Sequence, residues 1–433
     1  MMKTLNDLKT KKPWEVEGIE WREVRLGDDY YFRIETGATP KTSVKEYWEN
    51  GTIKWATPKD LGKNKGKYLI DTERRITEAG LNSCSTTIIP KGSIIISTRA
   101  PIGHIAILGD DMCFNQGCKG LVINSNFIYN EFVYYALLKR VEIMKTLGTG
   151  PTFEEISKDK LASIKIPLPF RNGKPDLETQ KKIVEYIEEN FSRIDKILEK
   201  KKRELELLDE LWESVLEKAF KPKEGEEWRE VRLGELTTEK PRYGLTAKAK
   251  DSGEFVFLRI TDIDDKGEIK TDNFKFVDID DDEASKYEIR QGDLLLARSG
   301  SVGNFFIAFK DYPNWVYGSY LIRFRLDTNK VNLNFVKHFL SSHYFKRWIL
   351  HQKRHGAQPN INAEEYSSFK LPLPFRNDKP DLEKQKEIAS YLDSVYEKIK
   401  TLKEKIQNQI TKLEEMKESI LEEVFRFPNS KTP

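Results

Sequence analysis

Cysteine is scarce, with Cys84, Cys113 and Cys118 the only three in 433 residues. They are too few and too irregularly spaced for a disulfide framework, which agrees with a reducing compartment. No apolar run approaches the ~18 residues of a membrane span. The opening MMKTLNDLKTKKPW lacks the apolar core of a secretory signal, so the expected location is cytoplasmic. An excess of either charge is also missing: 73 Lys and Arg stand against 70 Asp and Glu, a net of +3. Any surface for a polyanion must therefore come from segregating charges. A mean hydropathy of −0.62 describes a soluble chain with long solvated helices.

Catalytic signatures are absent as well. Gly62-Lys63-Asn64-Lys65-Gly66-Lys67 has neither the spacing nor the Ser/Thr of a phosphate loop. No strand–GxGxxG–helix cofactor fingerprint occurs. Gln358-Pro359-Asn360 is not the Asn-Pro-Pro-aromatic signature of amino-methyltransferases. Asp176 with Glu178, and Asp381 with Glu383, follow a proline at the start of a helical pattern, where carboxylates serve the helix N-terminus. His351 and His355 are spaced for zinc but lack the Glu of HExxH and a third ligand. Cys113 and Cys118 have no matching second pair and read as buried or free thiols. No catalytic residue, metal site or resident cofactor is expected.

What the chain does have is a pair of rods. Asp176–Phe220 contains no Gly or Pro and is rich in Leu, Ile, Glu and Lys, predicting one long helix. At 1.5 Å per residue it would reach roughly 60 Å. Ile183, Ile187, Ile194, Ile197, Leu205, Leu208, Leu211 and Val215 form an apolar stripe along it. Such a helix needs a partner of equal length. Asp381–Phe425 repeats the design 205 residues later, with Ile388, Leu392, Ile399, Leu402, Ile410, Leu413, Met416 and Ile420 at the matching positions. The Lys200–Arg203 run is a solvated face of the first rod.

The repeat continues outside the rods. EWREVRLG at 20–27 returns at 227–234, and PLPFRN at 167–172 returns at 372–377. Gly92 and Gly103 match Gly292 and Gly303, while Phe132, Val133 and Leu137 match Phe335, Val336 and Leu340. Residues 37–88 and 244–288 share almost nothing. One frame is therefore used twice with different surface loops. Each head should be β-rich in its first half, with short runs at Thr87–Ile89, Ser93–Ser97, His104–Leu108, Phe255–Ile260 and Leu321–Leu326. An amphipathic helix should follow, over about Glu131–Leu147 and Phe335–Lys353. The Pro-rich segments then straighten the chain into each rod.

The expected architecture is α+β: two pseudo-repeated β-rich globular heads joined by a long antiparallel two-helix coiled coil. Its parts are an extension at 1–19, a first head at 20–175, a central helix at 176–221, a second head at 227–380, a C-terminal helix at 381–425 and a tail at 426–433.

Binding residues are better represented than catalytic ones. The first head has Lys59, Lys63, Lys65 and Lys67 near Trp55, then Arg99, His104 and Lys119. The second has Arg242, Tyr243, Lys248, Lys250, Arg298, Asn304, Tyr317, Tyr320, Arg354, His355, Gln358, Asn360 and Asn362. Arg and Lys suit phosphates and guanine edges, Asn and Gln suit adenine, and aromatics pack on sugars or bases. Each alone could simply solvate a surface. Their gathering in breaker-rich loops of a repeated scaffold points to double-stranded DNA.

Two divergent heads alternating with near-identical rods, each entered through IPLPF or LPLPF and an L-E-x-Q-K start, resemble the specificity subunit of type I restriction–modification systems. The second head's exit, GAQPNINAEEYSSFKLPLPF, carries the resemblance most strongly, whereas the first has GTGPTFEEIS instead. The resemblance implies that each head is a target recognition domain for one half of a bipartite site. It implies that the helices set the spacing and dock two methyltransferase subunits, which restriction/translocase subunits join. It also implies that S-adenosylmethionine, ATP and magnesium belong to those partners. The alternative is a coiled-coil scaffold that clamps two protein partners without reading DNA.

Overall fold

The computed structural model describes residues 12–148, 155–264, 266–270, 272–352 and 360–426. The chain divides into two compact units: Met1–Lys200 with Gln409–Pro433, and Lys201–Asn408. No helix among the described residues is long and apolar enough to cross a membrane.

In the first unit a five-stranded sheet runs in the order Phe32–Thr36, Cys118–Ile123, Ile94–Ser97, Ile105–Leu108, Tyr68–Leu69. Its central strand reads Ile-Ile-Ile-Ser because both faces are covered. Ile94 and Ile96 face a core with Phe132, Val133 and Leu137 of the helix Asn130–Leu138. Ile95 lies in a second core with Ala106, Leu108 and Phe114. The second unit builds two four-stranded sheets around the strands Asp293–Ala297 and Phe255–Leu258. Thr87–Ile89 forms no strand; its Ile89 makes a lone bridge to Met112.

The two repeated motifs turn out to be partners. Glu20–Arg25 pairs antiparallel with Lys165–Arg171 in register Glu20↔Phe170, and Glu227–Arg232 pairs with Lys370–Arg376 in register Glu227↔Phe375. The Pro-rich segments are thus strands. Their prolines lack a donor, and each strand is bordered on its second side only by a two-residue strand, Lys174–Pro175 or Lys379–Pro380. Arg22 sits over the Phe170 ring and Arg229 over Phe375, with 4.7 and 4.5 Å to the centroids. The following glycine is required by close approach: a Cβ at Gly27 would lie 2.8 Å from that of Ala162, and one at Gly234 would lie 3.1 Å from that of Ser367.

The long helices span Leu177–Ala219 and Leu382–Phe425. Asp176 and Asp381 serve their starts, Asp176 accepting from the Thr179 hydroxyl at 2.7 Å and Asp381 from the Lys384 amide at 3.0 Å. In the first unit Ile183, Val184 and Ile187 share a core with Leu421, Val424 and Phe425, and Asp195 pairs with Lys417. Within this unit the helices therefore run antiparallel. The second unit repeats the relation in its own segments: Asp209 pairs with Lys403, Trp212 meets Tyr396 at 5.2 Å, and Leu216 shares a core with Ala389 and Leu392.

The buried edge is not quite the expected stripe. Ile183, Ile187, Ile194, Leu392, Ile399 and Ile410 are buried, and Leu205, Leu208, Val215, Ile388, Leu413 and Ile420 are partly covered. Ile197, Leu211, Leu402 and Met416 are instead 38–49% exposed. Leu198, at 8%, lies inside. A seam repeating every seven residues selects 187, 194, 201, 208 and 215 with 191, 198, 205 and 212. Steps of three from Ile194 to Ile197 and from Leu208 to Leu211 leave that edge.

The head helices also differ from expectation, since each is broken in two: Asn130–Leu138 then Val141–Leu147, and Leu333–Ser341 then His343–Gln352. At the second break, buried Ser342 takes an extended conformation and its hydroxyl donates to the Phe339 carbonyl at 2.6 Å. This is the local competition with helix that serine offers.

Each head is fixed to its rod by a glutamine. Gln180 Nε2 donates to the Phe127 carbonyl at 3.0 Å, and its Oε1 accepts from the Tyr129 amide at 2.8 Å. Gln385 repeats this on the Lys330 carbonyl at 3.1 Å and the Asn332 amide at 2.9 Å. Both are fully buried. Gln180→Ala or Gln385→Ala should each lower stability by about 1–3 kcal/mol, because a buried amide and carbonyl lose their partners. Lys181→Ala, on the exposed side, is the urea-denaturation control. In the same assay Leu392→Ala, from a fully buried site, should cost about 2–5 kcal/mol. Leu402→Ala, at 46% exposure, should stay within about 0.5 kcal/mol.

Candidate functional site

The cations expected to line the first head have internal partners. Lys59 and Lys63 both reach Glu73, at 2.9 and 2.8 Å. Hydrogen bonds from these two lysines hold the Glu73 carboxyl down to about 2. Lys67 has a different task from the expected one: its ammonium lies between Glu131, at 2.8 Å, and Glu188 on the rod. Tyr68 and Tyr129 donate to the same Glu131. Arg99 and Lys119 share Glu155, at 3.6 and 3.7 Å. The Lys119 side chain is 8% exposed, and burial lowers its ammonium below the ordinary range while Glu155 acts against this. Lys65 is exposed without an ion pair to a described residue. His104 packs beside Gly62, where a Cβ would stand 3.5 Å from the ring. Trp55 is buried on Trp48 and unavailable as a stacking surface.

The second head keeps more of its polar groups free. Tyr243 and Tyr320 are exposed. The Arg298 guanidinium lies 4.7 Å from the Tyr243 ring centroid, and its Nε donates to Asn360 Oδ1 at 3.4 Å. The Tyr243 hydroxyl accepts from the Ala363 amide at 3.1 Å. Arg298, Tyr243, Tyr320 and Asn360 are thereby brought together, because the Arg298 amide also donates to the Tyr320 carbonyl at 2.9 Å. Arg242 precedes Tyr243 on the same exposed strand, and Lys248 is exposed nearby in sequence. Lys250 is held by Asp278 at 2.7 Å.

Three of the expected residues have other work. Tyr317 is fully buried, and burial raises its hydroxyl above the ordinary value. Asn362 caps the helix Ala363–Ser368, its Oδ1 accepting from the amides of Glu364 and Glu365, both at 2.9 Å. Asn304 donates to the Ile263 carbonyl at 3.4 Å. Arg354, His355 and Gln358 lie outside the described residues, as do His355's part in the histidine pair and residues 149–154 of the first head's exit.

Chemistry of other kinds finds little support among the described residues. No group of three or more His, Cys, Asp or Glu is placed to hold a metal ion. Burial pushes the Cys113 thiol up to about 12, and Cys118 higher still, so neither is a thiolate nucleophile.

Sequence reasoning missed the carboxylates that occupy the lysines, and it missed the head-to-rod contacts Tyr135–Glu188, at 3.5 Å, and His338–Asp393, at 2.7 Å. These occupy matching positions in the two copies, so the repeat held a signal for them. The glutamine clamps were visible as the Q of L-E-x-Q-K, without their purpose.

The family described as type I restriction modification DNA specificity domain matches residues 18–207 and again 225–412. The chain belongs to that family. A family member, the type I restriction enzyme MjaIX specificity subunit of Methanocaldococcus jannaschii, is 34% identical over 205 residues, 47% of this chain and 43% of that protein. The EcoR124I/EcoR124II specificity subunit of Escherichia coli is 30% identical over 202 residues, 45% and 46% of the respective chains. The chain thus covers less than half the length of these two relatives. A chain of a solved type I R-M system superposes with a TM-score of 0.70 at 19% identity, covering 94% of this chain and 97% of the other. At that identity the likeness shows a shared fold.

The His338 contact carries a pH dependence. Burial pushes its imidazole below the ordinary value, while Asp393 acts in the opposite direction and Lys337 adds to the lowering. The folded state therefore favours neutral His338, whereas the unfolded chain takes up a proton near pH ~6.5. Stability from this site is present above that pH and falls as pH drops towards the folded-state value. The urea midpoint should fall from pH 7 to pH 5, and His338→Gln should make that fall shallower.

Proposed function

We propose that this chain is the non-catalytic DNA-reading subunit of a type I restriction–modification complex. The observation that carries the reading is one frame built twice, with the same strand register and glutamine clamp, under head surfaces that differ. Residues 20–175 form a first target recognition domain and residues 227–380 a second, each reading one half of a bipartite site. Exposed Tyr243 and Tyr320 beside half-buried Arg298 in the second head, and Lys65 with the Arg99–Lys119 group in the first, support these contacts. Lys59 and Lys63 can reach phosphate only by sharing themselves with Glu73.

The two long helices are the spacer, an antiparallel coiled coil from 176–221 and 381–425 that sets the separation of the half-sites. The antiparallel run within each unit supports this. Ile197, Leu211, Leu402 and Met416, exposed along the helices, suit docking of two methyltransferase subunits, which restriction/translocase subunits join in the cytoplasm. Methylation with S-adenosylmethionine, and cleavage with ATP and magnesium, are the partners' chemistry.

Exchanging residues 20–175 for another head should change one half of the sequence methylated by the reconstituted complex and leave the other half intact. A change in both halves, or in neither, refutes the assignment. Inserting about four residues, one helical turn, at equivalent points of both helices should lengthen the gap between half-sites. An unchanged gap in a still-active complex removes the spacer role.

A further inference from the structure

We infer that Arg298 reads a guanine in the half-site met by the second head, presented as a fixed fork by Tyr243 and Asn360. The inference rests on the DNA-reading function proposed above and adds to it a base and a residue.

Three observations carry it. First, Arg298 is held at both backbone faces: its amide donates to the Tyr320 carbonyl and its carbonyl accepts from the Ile361 amide, each at 2.9 Å. Second, the plane of its side chain is set. The guanidinium packs on the Tyr243 ring at 4.7 Å, and that ring is anchored by the hydroxyl's bond from the Ala363 amide at 3.1 Å. Asn360 Oδ1 takes the Nε proton, and the two terminal nitrogens have no hydrogen-bond partner among the described residues. Third, the charge is unspent. Arg259 and Arg325 close on Asp262 and Asp293 at 2.7 and 2.8 Å, but Arg298 makes no ion pair with a described carboxylate.

A phosphate can also take a guanidinium fork, but its tetrahedral oxygens accept from many directions and carry no sequence information, so a plane fixed in advance gains most at a base edge. Guanine offers O6 and N7 side by side in the base plane, and a planar two-donor fork matches them. Fixing the fork before binding removes the ordering cost that a free arginine would meet. A ring, a side-chain acceptor and an uncompensated guanidinium in one place therefore favour a base edge over the backbone.

The test uses the full chain reconstituted with its methyltransferase, carrying Arg298→Lys, Arg298→Ala, Tyr243→Phe or Tyr243→Leu. Methylated sites are mapped, and a head exchange identifies the half belonging to the second head. The unaltered complex should require G·C at one position of that half. Arg298→Lys, which keeps charge and loses the fork, should relax that position by about 5- to 150-fold, the discrimination of one bidentate pair, and leave the other half unchanged. Tyr243→Phe keeps the ring but loses its bond from the Ala363 amide and should weaken the preference less than Tyr243→Leu, which removes the stacking face. A second-head half-site without guanine, or one unchanged in both Arg298 variants, overturns the inference. So does a uniform loss of affinity across sequences in Arg298→Ala with the salt slope reduced by about one, which marks a phosphate contact. If Arg298→Ala does not fold, the Lys and Tyr243 variants decide. An unaltered complex with no two-part sequence preference refutes the DNA-reading proposal itself, an outcome distinct from the others.

Discussion

A helix of 43 residues with one apolar edge persists in water only while that edge is covered. In this chain the cover comes from the second helix, which carries the same edge 205 residues later. Antiparallel pairing follows from it in each unit: the rising positions of one helix meet the falling positions of the other, as Asp195 with Lys417 and Asp209 with Lys403 record. These ion pairs are exposed enough to contribute little energy and act mainly on register. Burial of side chains such as Ile187, Ile194, Leu392 and Ile399 contributes more than these ion pairs.

The heads depend on the same helices. Gln180 and Gln385 use the first turn of each helix to satisfy the backbone just before the head helix begins. The strand pairs that join EWREVR to the Pro-rich segment bring the head's entry and exit side by side. With both ends of a head secured, the residues between are free to change without disturbing the frame. That explains why 37–88 and 244–288 have diverged while the clamps and registers are duplicated. It also explains the unequal head-to-rod contacts, where Tyr135–Glu188 in one copy is His338–Asp393 in the other: the position is preserved and the chemistry is exchanged.

What was legible in the sequence follows from these constraints. The two long helices were legible because forty-odd residues without Gly or Pro leave few alternatives. The repeat was legible because motif pairs such as EWREVRLG recur whole. The seam was only half legible. Steps of three and four admit two adjacent stripes, and choosing Ile197 or Leu198 requires the partner's geometry. The head helices were read as continuous because a periodic apolar pattern does not register a break of one or two residues, such as Ser342 turning to bond the Phe339 carbonyl in the second head. At the candidate site, residue type identified the cations and said nothing of their partners. Glu73 lies ten residues beyond the short helix Pro58–Lys63 that carries Lys59 and Lys63, and Glu155 is more than thirty residues from Lys119. Such pairings belong to tertiary structure.

Those pairings change how charge should be counted on this molecule. A net of +3 spread over 143 charged side chains is too small by itself to attract a polyanion, because the counts of acid and base nearly cancel. The cancellation is uneven. In the first head Glu73, Glu131 and Glu155 take up Lys59, Lys63, Lys67, Arg99 and Lys119. In the second, Arg298 makes no ion pair with a described carboxylate and is oriented by Tyr243. A shared lysine must leave its carboxylate, or bring it along, to meet phosphate, which weakens attraction without regard to sequence. An arginine without an ion pair and with a fixed plane keeps its terminal donors for one geometry of acceptor. Low net charge and a few preorganised donors limit binding at random sites more than binding at the right one, which agrees with the DNA-reading role proposed above.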